Sequence, residues 1–214
     1  MVWIKICGIT SRADAEAISD MGADSLGFIF STDSPRKVGL EKAKKVLKGA
    51  RNISKTGVFV NEDIKKLVEY KNVLDLDFIQ LSGDEGISYI EDLKNNLEDI
   101  KIIKSFRLRK DDFSDIKREI GNFLEFADYV LFDSYHKYKY GGTGKSIDWE
   151  GVRNLADPER LIISGGLDHE NVSRALSLLD PFGVDASSRL EVSLGKKDLG
   201  KVRLFITVVR GSNK

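Results

Sequence analysis

An alternation runs the length of the chain and limits what it can fold into. Short apolar runs bounded by polar turns fall at residues 4–7, 25–30, 56–60, 78–81, 101–106, 129–133, 161–164 and 183–186. Most are apolar at consecutive positions, the pattern of a strand buried on both faces in a parallel sheet. Between them lie helical stripes. Ser11 and Asp14 open one in capping-box spacing, and Gly22 stops it. Ile64, Leu67 and Val68 form the next, then Ile90, Leu93 and Leu97, then Phe113, Ile116, Ile120 and Phe123. Val172, Ala175, Leu176 and Leu179 follow, and Val202, Phe205, Ile206 and Val209 close the chain. Residues 41–48 and 149–155 read as two shorter helices. Each stripe has one apolar face, so these helices cover a sheet and face water outside.

Successive strand starts are about 26 residues apart, the length of one strand, one helix and two loops. Eight such units, with no Gly/Pro/Ser-rich linker between them, predict an α/β chain forming one domain over residues 1–214, a single (β/α)8 TIM barrel. The competing open doubly wound sheet carries a G-x-G-x-x-G turn after its first strand. Here that turn is Cys7-Gly8-Ile9-Thr10.

Composition narrows the function. The 214 residues hold 34 basic and 34 acidic side chains, so the zero net charge argues against a nucleic-acid partner. A single cysteine allows no internal disulfide, and the N-terminus lacks a signal peptide's basic and apolar regions. Both point to a cytoplasmic protein. No apolar run approaches the ~18 residues of a membrane span.

In a (β/α)8 barrel the chemistry sits in the loops after the strands. Cys7 ends the first strand, two residues after Lys5 and on the same strand face. It is either a small buried hydrophobe or a nucleophile or base. In loop two, Pro35 stiffens the backbone before Arg36, whose fork suits a carboxylate or phosphate, or is simply solvated. Loop four, Gln80-Leu81-Ser82-Gly83-Asp84-Glu85, offers polar groups and a helix cap. Asp133 ends the sixth strand as a catalytic carboxyl or a loop cap. A loop of about fifteen residues follows it, a length typical of lids. That loop holds Gly141-Gly142-Thr143-Gly144-Lys145-Ser146, where glycines let backbone N–H groups approach an anion. It is not a P-loop, because Lys139 stands where that motif needs glycine. Ser164-Gly165-Gly166 and Ser187-Ser188 end strands seven and eight, where such barrels often build a phosphate site. His136 and His169 have no partner at metal-ligand spacing, so no metal is expected, and no site for a cofactor is seen.

Taken together, these motifs resemble the phosphoribosylanthranilate isomerase family. The likeness runs through Lys5-Ile6-Cys7-Gly8-Ile9-Thr10, Ser34-Pro35-Arg36, Gln80-Leu81 with Gly83, and Leu131-Phe132-Asp133. It continues through Gly141-Gly142-Thr143-Gly144-Lys145, Ser164-Gly165-Gly166-Leu167, Val184-Asp185 with Ser187-Ser188 and Glu191, and Gly195-Lys196-Lys197-Asp198. The resemblance implies an Amadori rearrangement in tryptophan biosynthesis, converting N-(5-phosphoribosyl)anthranilate to the aminoketose without a cofactor. It implies Asp133 as general acid and Cys7 as general base. It implies Arg36 at the anthranilate carboxylate, and Gly142, Gly144, Gly165, Gly166, Ser187 and Ser188 at the phosphate. The partner would be a phosphosugar, and the protein a monomer or homodimer. The acid must stay protonated near neutral pH, and the thiol needs positive surroundings.

Two residues depart from the family pattern: Ser82 where histidine is usual, and Arg189 where glycine is usual. Two other readings stand beside this one. The related histidine-pathway isomerase uses an aspartate in place of Cys7 and two phosphate sites, and no second Gly-Gly loop appears here. A phosphosugar-binding barrel without catalysis would keep loops seven and eight alone.

Overall fold

The computed structural model describes residues 1–30, 34–97, 99–108, 113–134 and 149–212. Eight parallel strands close into a barrel: β1 (Trp3–Cys7), β2 (Ser25–Ile29), β3 (Ser54–Phe59), β4 (Phe78–Leu81), β5 (Lys101–Leu108), β6 (Tyr129–Ser134), β7 (Leu161–Ile163) and β8 (Gly183–Ala186). Closure is made by β1 on β8, with Lys5 opposite Asp185. Helices α1 (Arg12–Asp20), α2 (Leu40–Leu47), α3 (Ile64–Leu74), α4 (Ile87–Asn96) and α5 (Phe113–Leu124) follow the first five strands, and α6 (Val172–Leu179) and α7 (Leu199–Gly211) follow the last two. The fold expected from the alternation is the fold observed. Among the described residues, no helix is long and apolar enough to cross a membrane.

The local rules are visible at the helix ends. Ser11 Oγ accepts from Asp14 N at 3.1 Å and starts α1. Asp75 and Asp180 end α3 and α6 in the left-handed region, which a short polar side chain tolerates.

One expected helix is absent. Residues 149–155 form successive turns, with Leu155 N bonded to Val152 O at 3.2 Å. The buried residues there are Trp149, Val152 and Leu155. A spacing of three matches i to i+3 turns rather than a 3.6-residue helix. Gly151 and Pro158 further disfavour an extended helix across the segment. A short 3₁₀ helix, Pro158–Arg160, leads into β7.

A clip recurs at the N-terminal end of the barrel. Asp24, Asp77 and Asp128 each stand one residue before an even-numbered strand. Their carboxylates accept from Ile4 N, Lys55 N and Ile102 N at 2.7, 2.8 and 2.9 Å. Their own amides return to the carbonyls of those three residues, each at 2.9 Å. β1, β3 and β5 are each thereby fastened to the next strand by a reciprocal pair of bonds, which helps fix register where strand polarity alone does not.

Side chains alternate between the barrel lumen and the helix layer. The outer layer holds the larger apolar core, including Ile4, Ile6, Leu26, Phe28, Phe132 and Phe205. The lumen's own apolar cluster sits at its floor. Phe78, Ile103, Leu131 and Ile162 pack there, with Trp3, Tyr129 and Phe182 against them. Trp3 on β1 reaches Phe78 on β4 with ring centroids 5.3 Å apart, and Tyr129 stacks on Phe182 at 4.3 Å. On five of the strands the lumen turns polar two residues further along. Trp3 gives way to Lys5 and Cys7, Phe78 to Gln80, Ile103 to Ser105, Leu131 to Asp133, and Gly183 to Asp185. The C-terminal mouth is therefore where buried chemistry collects.

Candidate active site

Cys7 lies at the top of β1, 6% exposed. Its neighbour across the β1–β2 ladder is Gly27. A Cβ at Gly27 would stand 2.7 Å from Cys7 Sγ, so the glycine makes the space the thiol occupies. Gly8 turns the chain away at φ +78°, and a Cβ there would lie 2.7 Å from Arg36 Cδ and 3.1 Å from Ser187 Oγ. Ser187 Oγ donates to Cys7 O at 3.1 Å. Loops one, two and eight thus meet around one turn.

Beneath Cys7, Lys5 is wholly buried. Its Nζ is 2.7 Å from Asp185 Oδ2, an ion pair whose angles fall short of a well-formed hydrogen bond. Burial pulls the ammonium's pKa down, but Asp185 and then Cys7 outweigh it, so Lys5 is held above the ordinary lysine range and stays charged. Burial pushes the Cys7 thiol up. Lys5 pulls it down, Asp185 pushes it up again, Lys197 pulls it down, and the net direction is upward. The positive surroundings expected from sequence are present, and burial outweighs them.

Lys197 arrives by a route the sequence reading missed. After β8, a 3₁₀ turn and a small antiparallel hairpin, β9 (Glu191–Ser193) and β10 (Lys196–Lys197), fold back over the mouth. The available signal was Leu194-Gly195 between two short polar runs, with Gly195 at φ +75°. Lys197 Nζ donates to Ser187 O at 3.1 Å and to Glu191 Oε1 at 3.0 Å. Burial lowers its pKa, against the pull of Glu191. Glu191 also receives Arg36 as a fork, Nε to Oε1 at 2.7 Å and Nη2 to Oε2 at 2.8 Å. Burial would raise the Glu191 carboxyl, yet Arg36 and Lys197 hold it below the usual range. Arg36 is therefore a buried, oriented arginine rather than a solvated one.

Asp133, Ser164, Gly165, Gly166, Asp185, Ser187, Ser188 and Arg189 line one cleft at this mouth. Gly165 and Gly166 have φ +86° and +71°, so both use backbone conformations that other residues avoid. Asp133 is half-buried in that cleft. Gly142 and Gly144 lie outside the described residues. Ser82 joins a polar cluster, its Oγ 3.1 Å from both Gln80 Nε2 and Ser105 Oγ. A larger open cleft of about 760 Å³ lies at the opposite end, lined by Trp3, Asp24, Lys55 and Asp77 among others. Its charges are already engaged, Lys55 with Asp75 at 2.7 Å and Asp24 with Arg210 at 2.6 Å.

A profile of the N-(5'-phosphoribosyl)anthranilate (PRA) isomerase family matches residues 4–208. The chain belongs to that family. It is an enzyme by that membership, of an isomerase family in tryptophan biosynthesis. It is 39% identical over 212 residues to the N-(5'-phosphoribosyl)anthranilate isomerase of Rubrobacter xylanophilus, covering 98% of this chain and 100% of that one. Identity to the Syntrophomonas wolfei isomerase is 40% over 212 residues, 98% of each chain. Among solved structures, phosphoribosyl anthranilate isomerase from Thermotoga maritima superposes with a TM-score of 0.86 at 34% identity, over 99% of this chain and 100% of that one. A phosphoribosyl anthranilate isomerase bound to reduced 1-(o-carboxyphenylamino)-1-deoxyribulose 5-phosphate gives a TM-score of 0.83 at 32% identity, over the same shares.

Proposed function

We propose that the chain converts N-(5'-phosphoribosyl)anthranilate to 1-(o-carboxyphenylamino)-1-deoxyribulose 5-phosphate, with Asp133 as general acid and Cys7 as general base. The observation that carries this reading is the single mouth shared by Cys7, Arg36, Asp133, the Gly165–Gly166 turn and Ser187–Ser188. Asp133 gives its proton to the furanose ring oxygen. The C1–O bond breaks as the anthranilate nitrogen's lone pair forms a C1=N bond, leaving a cationic imine. The Cys7 thiolate then takes the C2 proton. The C2–H electrons form C1=C2, and those of C1=N return to nitrogen, giving a neutral enolamine. Proton gain at C1 and loss from the C2 hydroxyl give the ketose.

Only the thiolate is competent, and burial works against it in the ligand-free protein. The cationic imine brings positive charge next to the sulfur and favours the thiolate when it is needed. The order of steps, acid first and base second, therefore suits the electrostatics. Arg36 holds the anthranilate carboxylate and is itself aimed by Glu191. The backbone of Gly165 and Gly166, with Ser187, Ser188 and the glycines at 142 and 144, holds the phosphate, which supplies orientation at a distance from the reacting carbons.

The test generates phosphoribosylanthranilate in place and follows loss of its fluorescence. The native chain should give rapid decay. Cys7→Ala and Asp133→Asn should each lower kcat by orders of magnitude with the fold unchanged by circular dichroism. Decay that survives one substitution removes that residue from the chemistry, and no decay with native protein removes the proposed reaction.

A further inference from the structure

Arg189 follows Ser187–Ser188 just beyond β8, and the structure gives that side chain a definite place. It lines the same cleft as Asp133, Ser164, Gly165, Gly166, Ser187 and Ser188. Its Nη1 donates to Asp168 Oδ2 at 2.6 Å. Asp168 is buried, and its other oxygen accepts from Glu170 N at 3.0 Å and Asn171 N at 3.1 Å. Asn171 in turn donates to Gly166 O at 2.8 Å and accepts from Asp168 N at 3.0 Å. The carboxylate that holds Arg189 is therefore part of the brace that shapes the Gly165–Gly166 turn. The side chain remains 39% exposed, within reach of a ligand entering the cleft.

We propose that Arg189 is a phosphate-binding, specificity-determining residue, a cation added to a cradle otherwise built from backbone N–H groups and hydroxyls. This rests on the reading of loops seven and eight as the phosphate site. A guanidinium presents five N–H donors in a planar fork. With Nη1 on Asp168, the partly exposed fork still faces the cleft, where a phosphate oxygen can compete for its donors. The strap to Asp168 also keeps the side chain from folding into the space a phosphate would fill. A phosphorylated ligand gains a charge-assisted bond that a glycine at this position cannot provide.

The test separates charge from shape. Arg189→Gln keeps a polar side chain of similar reach, and Arg189→Lys keeps the charge without the fork. Binding of inorganic phosphate by calorimetry, and KM and kcat by fluorescence decay, are measured for each. Arg189→Gln should weaken phosphate about 10- to 30-fold and raise KM by a similar factor, with kcat within about threefold. Arg189→Lys should recover part of the loss. Binding of anthranilate itself, which carries no phosphate, should not change, whereas a purely structural strap would disturb both ligands. Phosphate affinity unchanged by Arg189→Gln, or tighter in Arg189→Gly, overturns the proposal and makes Arg189 an obstruction. The two readings fail separately. Native protein that turns over while Arg189→Gln keeps its KM loses only the role of Arg189. Native protein that binds phosphate through Arg189 but shows no decay loses only the isomerase reaction.

Discussion

Replacing Lys5 by Met removes one member of a fully buried ion pair while keeping much of the side chain's length. At 2.7 Å and an effective dielectric of about 20, the Lys5–Asp185 attraction is worth about 6 kcal/mol. Withdrawing the two ions from water costs several kcal/mol each, so the intact pair is near break-even. The variant keeps the cost of burying Asp185 and loses the attraction, which should destabilise the fold by about 3–5 kcal/mol. A chain of 214 residues unfolds with an entropy of about 0.45 kcal/mol/K, so the midpoint should fall by about 7–11 °C. Calorimetry and urea unfolding of the native chain, Lys5→Met, Asp185→Asn and the double variant measure this. The double variant should be more stable than Lys5→Met by at least about 2 kcal/mol, because no buried charge is left unpaired. A loss under about 1 kcal/mol in Lys5→Met, or no recovery in the double variant, would refute the reasoning. Lys5 is also the largest cationic influence on Cys7, so the same variant should drive the thiol further up.

The other predictions concern the thiol and the space around it. Gly27→Ala places a methyl 2.7 Å from Cys7 Sγ and 2.9 Å from Cys7 Cα, a backbone contact that cannot yield cheaply. It should cost about 1–3 kcal/mol in stability and at least tenfold in kcat, read by urea unfolding and fluorescence decay. In the ligand-free protein, alkylation of Cys7 by iodoacetamide should still be rising at pH 9, because burial holds the thiol above its ordinary value of roughly 8.5. The unfolded thiol ionises first as pH rises, so Cys7's contribution to stability is complete below roughly pH 8.5 and is lost toward the higher folded value. A reactivity plateau already reached by pH 8 would contradict both statements.

Much of the barrel was legible because its determinants are local. Strands such as residues 78–81 and 183–186 coincide with their observed limits, since each is a short, largely apolar run closed off by polar turns within a regular alternation. The segment at 149–155 was misread because spacings of three and of 3.6 diverge too little over two turns. The floor-to-mouth change in lumen polarity is also present in sequence, at alternate positions of β1, β4, β5, β6 and β8, but it becomes visible only once the register is known. Cys7, Asp133, Gly165, Gly166, Ser187 and Ser188 could be placed because strand ends have a fixed address in a barrel. Glu191 and Lys197 could not be assigned roles this way. They lie beyond the eighth strand, and only the β9–β10 hairpin returns them to Cys7 and Arg36.

That hairpin bears on how a chain of zero net charge can hold an anionic ligand. Around the mouth stand four cations, Lys5, Arg36, Lys197 and Arg189, and three carboxylates that engage them, Asp185, Glu191 and Asp168. Each carboxylate lowers the cost of stationing a cation out of water before any ligand arrives. Glu191 does so for two, aiming Arg36 while it holds Lys197 against Ser187. A ligand with a phosphate and a carboxylate then meets guanidinium groups already oriented, and little of its binding energy goes into ordering them. The local excess of positive charge is small, which keeps the empty site affordable and makes orientation, rather than net potential, the source of selectivity. Glu191→Gln should then weaken a carboxylate-bearing ligand through a misaimed Arg36, although the substitution removes a negative charge from the site.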